Sequence, residues 1–177
     1  SLAEEVEKRV RDLHRKNEEL DRESEKKVRD MDRKNKELIK RAEEEVKKVI
    51  DKLRKLKGTS EETVRRISEE VKKIVEDLER ELRKLEEENR RVVEELRDKY
   101  RKLEKENRDM LEDIKRRLLD VEEKLRELAR RLKESIRESR ERLRRLEKEL
   151  EDSIRELRRA IDTLTKRLEK AIEELER

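Results

Sequence analysis

The chain has 177 residues, of which 61% are charged and 29% are hydrophobic, and its net charge at neutral pH is +4. It contains no cysteine or proline, glycine and histidine occur once each, and no apolar run approaches the ~20 residues of a membrane span. This composition excludes a disulfide framework and a thiolate metal site, and because basic and acidic residues alternate along the chain, it argues against nucleic-acid and anionic-membrane binding.

The first predicted element is an amphipathic helix over residues 1–57. Its core stripe advances by steps of four and three residues and completes five turns in eighteen residues, which is 3.6 residues per turn, the period of a straight α-helix. Because regularly spaced aliphatic residues bury one face, the high charge predicts a solvated outer surface rather than disorder. The stripe consists of Val6, Val10, Leu13, Asn17, Leu20, Ser24, Val28, Met31, Asn35, Leu38, Ala42, Val46, Val49, Leu53 and Leu56.

A turn is predicted at residues 58–60. Gly58 suits the left-handed position after a helix, and Ser60 is a favourable N-cap that precedes two glutamates in the first turn of the next helix. The second helix is predicted over residues 61–117 and keeps the eighteen-residue repeat. One repeat column of this helix contains Leu78, Leu96 and Ile114.

A second turn is predicted at residues 118–120, followed by a helix over residues 121–177. Asp120 precedes Glu123 by three residues, as in a capping box, and the turn would give three helices of equal length. If the helix instead continues through this junction, two antiparallel chains rebuild the same cross-section as a domain-swapped homodimer. We expect the monomer, because closure within one chain has no concentration cost.

These features together resemble a de novo, parametrically designed, untwisted three-helix bundle. The resemblance rests on the eighteen-residue repeat, the Glu, Lys and Arg surface, the Leu, Ile and Val core and the minimal Gly-Thr-Ser loop, and it covers the whole chain. It implies an all-α, long antiparallel bundle with little supercoil, and a structural scaffold of high stability with no evolved activity. It also implies no natural localisation, and a soluble, cytoplasmic product on recombinant expression.

Polar residues interrupt the core stripe, and we interpret them as a structural polar set. Buried asparagines in such positions penalise alternative helix registers, whereas boundary asparagines reach water. The alternative is direct pairing of Asn17 with Asn107 and of Asn35 with Asn89, whose residue numbers add up to 124. The short turn instead predicts that contacting residues on the first two helices have numbers that add up to about 118, an axial offset of about 9 Å. We therefore expect Asn17 to cluster with Tyr100 and Ser139, and Asn89 and Asn107 to face Val28 and Val10 near solvent. The set is Asn17, Ser24, Asn35, Asn89, Tyr100, Asn107 and Ser139.

No catalytic, cofactor-binding or metal-binding residue is predicted. The lone histidine, His14, has no second ligand at metal-binding spacing, and the sequence has neither a glycine-rich phosphate loop nor a Ser/His/Asp arrangement. We predict no enzyme activity, no cofactor and no required partner. An alternative is a natural coiled-coil or spectrin-like spacer that mediates protein interaction, but such a protein is expected to have aromatic core residues and drifting repeats.

Overall fold

The computed structural model describes residues 2–117 and 123–176, which form three α-helices and the turn between the first two. The helices are α1, Leu2–Lys55; α2, Glu61–Arg117; and α3, Glu123–Glu176. No strand occurs in these ranges. The prediction of an all-α three-helix bundle is therefore confirmed. The predicted turn at residues 118–120, and with it Asp120, lies outside the described residues.

Ion pairs between helices fix their relative directions. Lys16 pairs with Glu106 at 3.3 Å, and Lys27 pairs with Glu95 at 2.7 Å. Contacts nearer the C-terminus of α1 are therefore made by residues nearer the N-terminus of α2. The two helices are antiparallel. α3 is parallel to α1, because its pairs with α1 advance together along both helices: Lys124 with Glu7 and Arg145 with Glu25.

The chain forms two compact units, each built from one segment of every helix. Unit 1 comprises Ser1–Arg29 and Arg91–Glu149, and unit 2 comprises Asp30–Arg90 and Leu150–Arg177. Both have an aliphatic core in which leucine is the main residue. In unit 1 the buried hydrophobic residues include Val6, Val10, Leu13, Leu96, Tyr100, Ile114, Leu125, Leu132 and Leu146. In unit 2 they include Leu38, Ala42, Val46, Leu53, Val71, Leu78, Leu157, Ile161 and Leu168.

The turn between α1 and α2 follows from its glycine and serine. α1 ends at Lys55 rather than at residue 57, because the amide of Leu56 bonds to the carbonyl of Leu53, a tighter i to i−3 contact. Gly58 has a φ of 93°, which side-chain-bearing residues rarely adopt. The Oγ of Ser60 then accepts a hydrogen bond from the Thr63 amide at 3.4 Å, which is the N-cap contact that starts α2.

Candidate functional site: polar layers in the core

In the part of the chain that the structure describes, six polar side chains are buried among the aliphatic residues of the two units. They are Asn17, Ser24, Asn35, Asn89, Asn107 and Ser153, each less than a tenth exposed. Buried amides and hydroxyls cost free energy unless their hydrogen bonds are made, so the partners of these groups decide whether they stabilise the bundle.

In unit 2, four side chains from three helices form one connected network, which we call the Asn35 layer: Asp32, Asn35, Asn89 and Ser153. Asn35 Nδ2 donates to Asn89 Oδ1 at 3.2 Å, and Asn89 Nδ2 donates back to Asn35 Oδ1 at 3.1 Å. Asn35 Nδ2 also donates to Ser153 Oγ at 3.0 Å, and Ser153 donates to Asp32 Oδ1 at 2.6 Å. This chain of bonds links α1, α2 and α3.

The polar network ends at a carboxylate on the edge of the core. Burial of Asp32 by itself raises its pKa, but hydrogen bonds from Ser153 and Lys36 outweigh that effect, and the pKa of Asp32 lies below its usual value. Lys36 Nζ lies 2.9 Å from Asp32 Oδ2. The acceptor end of the Asn35 layer is therefore ionised at neutral pH.

Unit 1 contains a second asparagine pair with looser geometry. Asn17 Nδ2 lies 3.5 Å from Asn107 Oδ1, and Asn107 Nδ2 lies 3.4 Å from Asn17 Oδ1. Asn107 also donates to the carbonyl of Leu103 at 2.7 Å, as Asn89 does to the carbonyl of Leu85 at 2.6 Å. The second hydrogen of each of these two α2 amides therefore satisfies a backbone acceptor on its own helix.

A further set in unit 1, the Tyr100 layer, consists of Asp21, Tyr100 and Arg142. The phenol of Tyr100 donates to Asp21 Oδ1 at 2.9 Å, and Arg142 forms an ion pair with the other oxygen of the same carboxylate. Asp21 on α1 thus accepts from α2 and α3 together. The hydroxyl of Ser24 is buried and makes no hydrogen bond to the described part of the chain.

Tyr100 provides a pH-dependent probe of unit 1. Burial raises the pKa of its phenol above the ordinary value of 10.0. We expect its near-ultraviolet phenolate absorbance to appear at higher pH in the folded chain than in the chain unfolded with guanidinium chloride. Because the folded state then holds the proton more tightly, the stability contributed by Tyr100 is complete below pH 10.0 and declines as the pH rises further. Tyr100 is the only tyrosine, so the signal has one source. Identical titrations of the folded and unfolded chains would contradict the burial of the phenol.

The structure corrects the predicted surroundings of the asparagines. Asn89 and Asn107 pair with Asn35 and Asn17 and are buried, whereas we expected them to lie near solvent. Tyr100 bonds to Asp21 rather than joining a cluster with Asn17. Ser139, the remaining member of the predicted set, is half-buried.

The cause of the error is the register between α1 and α2. Both asparagine pairs have residue numbers that add up to 124, whereas the turn suggested about 118. A sum of about 118 holds for residues whose backbones lie at the same level, but Cα–Cβ bonds tilt towards the N-terminus of each helix. In an antiparallel pair of helices, the side chains of two residues at the same backbone level therefore lean in opposite directions along the helix axis. The residues that meet lie about one position further towards each C-terminus, so the tilt raises the expected sum and explains part of the difference between 118 and 124.

Sequence reasoning missed Ser153, Asp32, Asp21 and Arg142 as members of the polar layers. Ser153 falls on the apolar stripe of α3, and a small polar residue on a buried face is the signal that could have identified it. The two aspartates and the arginine lie at the edge of the core, where charged residues are the rule in this chain.

The described residues offer no arrangement suited to metal binding or to transmembrane insertion. No group of three His, Cys, Asp or Glu side chains within residues 2–117 and 123–176 could hold a metal ion. His14 is exposed and its Nε2 lies 2.9 Å from Glu18. Among the helices described, none is both long enough and apolar enough to cross a membrane.

Comparisons with known proteins identify no family. No family model matches the chain, and no curated protein matches it. Among solved structures, one described as a computationally designed three helix bundle is similar to 99% of this chain and 80% of its own, with 22% identity and a TM-score of 0.37.

Proposed function

We propose that the chain is a designed structural scaffold with no evolved biochemical activity, made to realise an idealised, untwisted helical-bundle backbone. The observation that carries this proposal is the repetition of paired asparagines. Two Asn–Asn pairs recur at the eighteen-residue period of the sequence. Repetition of one buried asparagine pair at the eighteen-residue repeat is typical of a sequence chosen to fix the register between two helices.

The order of the repeat column explains how such a device selects one register. Along α1 the column reads Asn17, Asn35, Leu53, and along α2, read backwards, it reads Asn107, Asn89, Val71. The native alignment matches amide with amide and aliphatic with aliphatic. A slip of one repeat would place Asn35 against Val71 or Leu53 against Asn89. Each slip therefore buries an amide without its partner and is penalised.

We propose that the scaffold is a monomer that needs no partner or cofactor. Light scattering after size exclusion tests this directly, and a mass near 21.9 kDa is expected. Twice that mass would favour the domain-swapped antiparallel homodimer, in which residues 61–177 form one helix. The purified chain alone should give the full helical circular dichroism signal.

Thermal unfolding separates the designed scaffold from a natural spacer. Idealised backbones are usually hyperstable, so we expect the helical circular dichroism signal to persist to about 90 °C or above. A cooperative midpoint in the ~45–65 °C range of mesophilic domains would instead favour the natural spacer. The scan should be repeated at two protein concentrations, because a dimer would shift its midpoint with concentration.

A further inference from the structure

One flank of α3 in unit 1 carries a row of cations. The row advances by steps of three and four residues, so its members lie on one face of the helix. All six are exposed. They are Arg130, Lys133, Arg137, Arg140, Arg144 and Lys148.

Most of this row is not neutralised within the described part of the chain. Arg137 pairs with Glu141 at 3.2 Å, and Arg140 pairs with Glu104 of α2. The other four cations form no ion pair with any described residue: Arg130, Lys133, Arg144 and Lys148. They are therefore available for an external anion.

The adjacent flank of α2 extends the positive surface. Arg97 pairs with Glu147 and Glu104 pairs with Arg140, which shows that this flank of α2 faces α3. Two further exposed cations share the same flank at helical spacing, Arg101 and Arg108. We call the α3 row together with Arg97, Arg101 and Arg108 the basic face.

Acids within this region do not cancel its charge. Glu104, Glu141 and Glu147 each form an ion pair with a cation of the basic face. Glu94 and Glu112 lie on the same flank of α2 as Arg101, at spacings of seven and eleven residues, so the region holds these five acids against nine cations. The basic face therefore keeps an excess of positive charge.

The acids that alternate with these cations in the sequence lie on another side of α3. Glu134 and Glu138 line a groove together with His14 and Glu18 of α1, so they point towards α1. Folding thus separates charges that are interspersed along the chain. The linear pattern, which argues against nucleic-acid binding, does not describe this surface.

We propose that the basic face binds the phosphate backbone of double-stranded DNA without sequence preference. The α3 row is about 27 Å long at 1.5 Å per residue, and a duplex presents one charge for about every 1.7 Å of its axis, so many phosphates lie within reach. Neutralising phosphates releases condensed counterions, which provides affinity without base contacts.

The chemistry of the surface favours a duplex over other polyanions. The chain has no Phe or Trp, and its single tyrosine, Tyr100, is buried. None of these rings is therefore available at the surface to stack on the bases of a single strand. Every member of the α3 row is cationic, and no exposed apolar side chain interrupts it to insert into a lipid surface. A rigid, densely charged polymer therefore fits a row of cations best.

Fluorescence anisotropy with a labelled random-sequence duplex tests the proposal. For the full-length chain we expect saturable binding that weakens about 100-fold between ~50 and ~200 mM salt, as about four phosphate contacts require. The variant R130Q/K133Q/R144Q/K148Q is expected to bind at least about 30-fold more weakly at low salt, with a slope of log K against log salt shallower by about 3 to 4.

A matched control separates the basic face from net charge. The variant R65Q/R66Q/K72Q/K73Q removes the same number of arginines and lysines from exposed positions of α2 in unit 2, where acidic residues alternate with them. It should weaken binding less than about 3-fold, because it removes no contact. A second variant, R130K/R144K, keeps the charge of the row and is expected to bind like the parent chain.

Four outcomes would overturn the proposal. They are the absence of binding to the duplex at low salt, equal weakening by the two glutamine variants, loss of binding in R130K/R144K, and binding to heparin or to anionic vesicles but not to the duplex. Circular dichroism of each variant should match that of the parent chain, since every substituted side chain is exposed and glutamine is a good helix former.

Discussion

Replacement of Asn35 by leucine is expected to lower the free energy of unfolding by about 2 kcal/mol, because a buried amide partner is left without its hydrogen bonds. Asn35 makes three hydrogen bonds, two with Asn89 and one to Ser153. After the substitution, Asn89 keeps its bond to the carbonyl of Leu85, but its own Oδ1 loses the donor from Asn35. The added aliphatic surface of leucine offsets only part of that loss.

The double variant Asn35→Leu/Asn89→Val is expected to regain most or all of the lost stability. The repeat itself supplies the precedent, since Leu53 and Val71 occupy the equivalent positions one period away. Both belong to the hydrophobic core cluster of unit 2. With both amides gone, no carbonyl or amide of the pair remains unsatisfied, and replacing both partners by apolar groups is close to neutral or stabilising.

A double-mutant cycle compares the parent chain, Asn35→Leu, Asn89→Val and the double variant. Denaturation with guanidinium chloride, monitored by circular dichroism, measures the free energy of unfolding of all four. The expected coupling between Asn35 and Asn89 is about 2 kcal/mol or more. Additive effects of the two single substitutions would contradict a direct pair. Asn17→Leu is a useful comparison, because its bonds to Asn107 are longer than those of the Asn35 pair, so it should cost less than Asn35→Leu.

The aliphatic repeat made the helices and their buried faces predictable. Leu78, Leu96 and Ile114 were placed in one column from spacing alone, and all three are buried. Gly58 was predicted to adopt a left-handed conformation, and its φ is 93°. These features depend on local sequence and on a 3.6-residue period, both of which a single sequence contains in full.

The polar layers could be predicted only in part, because they depend on how one helix is aligned with another. An error of a few residues in register moves an asparagine to a different neighbour, and the tilt of side chains along the helix accounts for part of that error. The contact between Tyr100 and Asp21 needs the same information. Nothing in the spacing of either helix distinguishes Asp21 from the many acids that only face water.

The aliphatic core is expected to contribute more per residue than the polar layers. Leu157 is fully buried in unit 2, and the chain has no Phe or Trp, so leucine, isoleucine and valine supply almost all of the buried surface. We expect Leu157→Ala to lower the free energy of unfolding by about 2 to 5 kcal/mol, because it removes buried methyl groups and leaves a cavity that the three helices cannot fully close.

Leu175→Ala is the matched control for this substitution. Leu175 lies on the same helix but is only half-buried, near the end of α3, where the backbone can adjust. Its substitution should cost under about 1 kcal/mol, since much of its side chain already contacts water. Guanidinium denaturation gives both values. Equal losses at the two positions would mean that the core of unit 2 packs no more tightly at its centre than at its end.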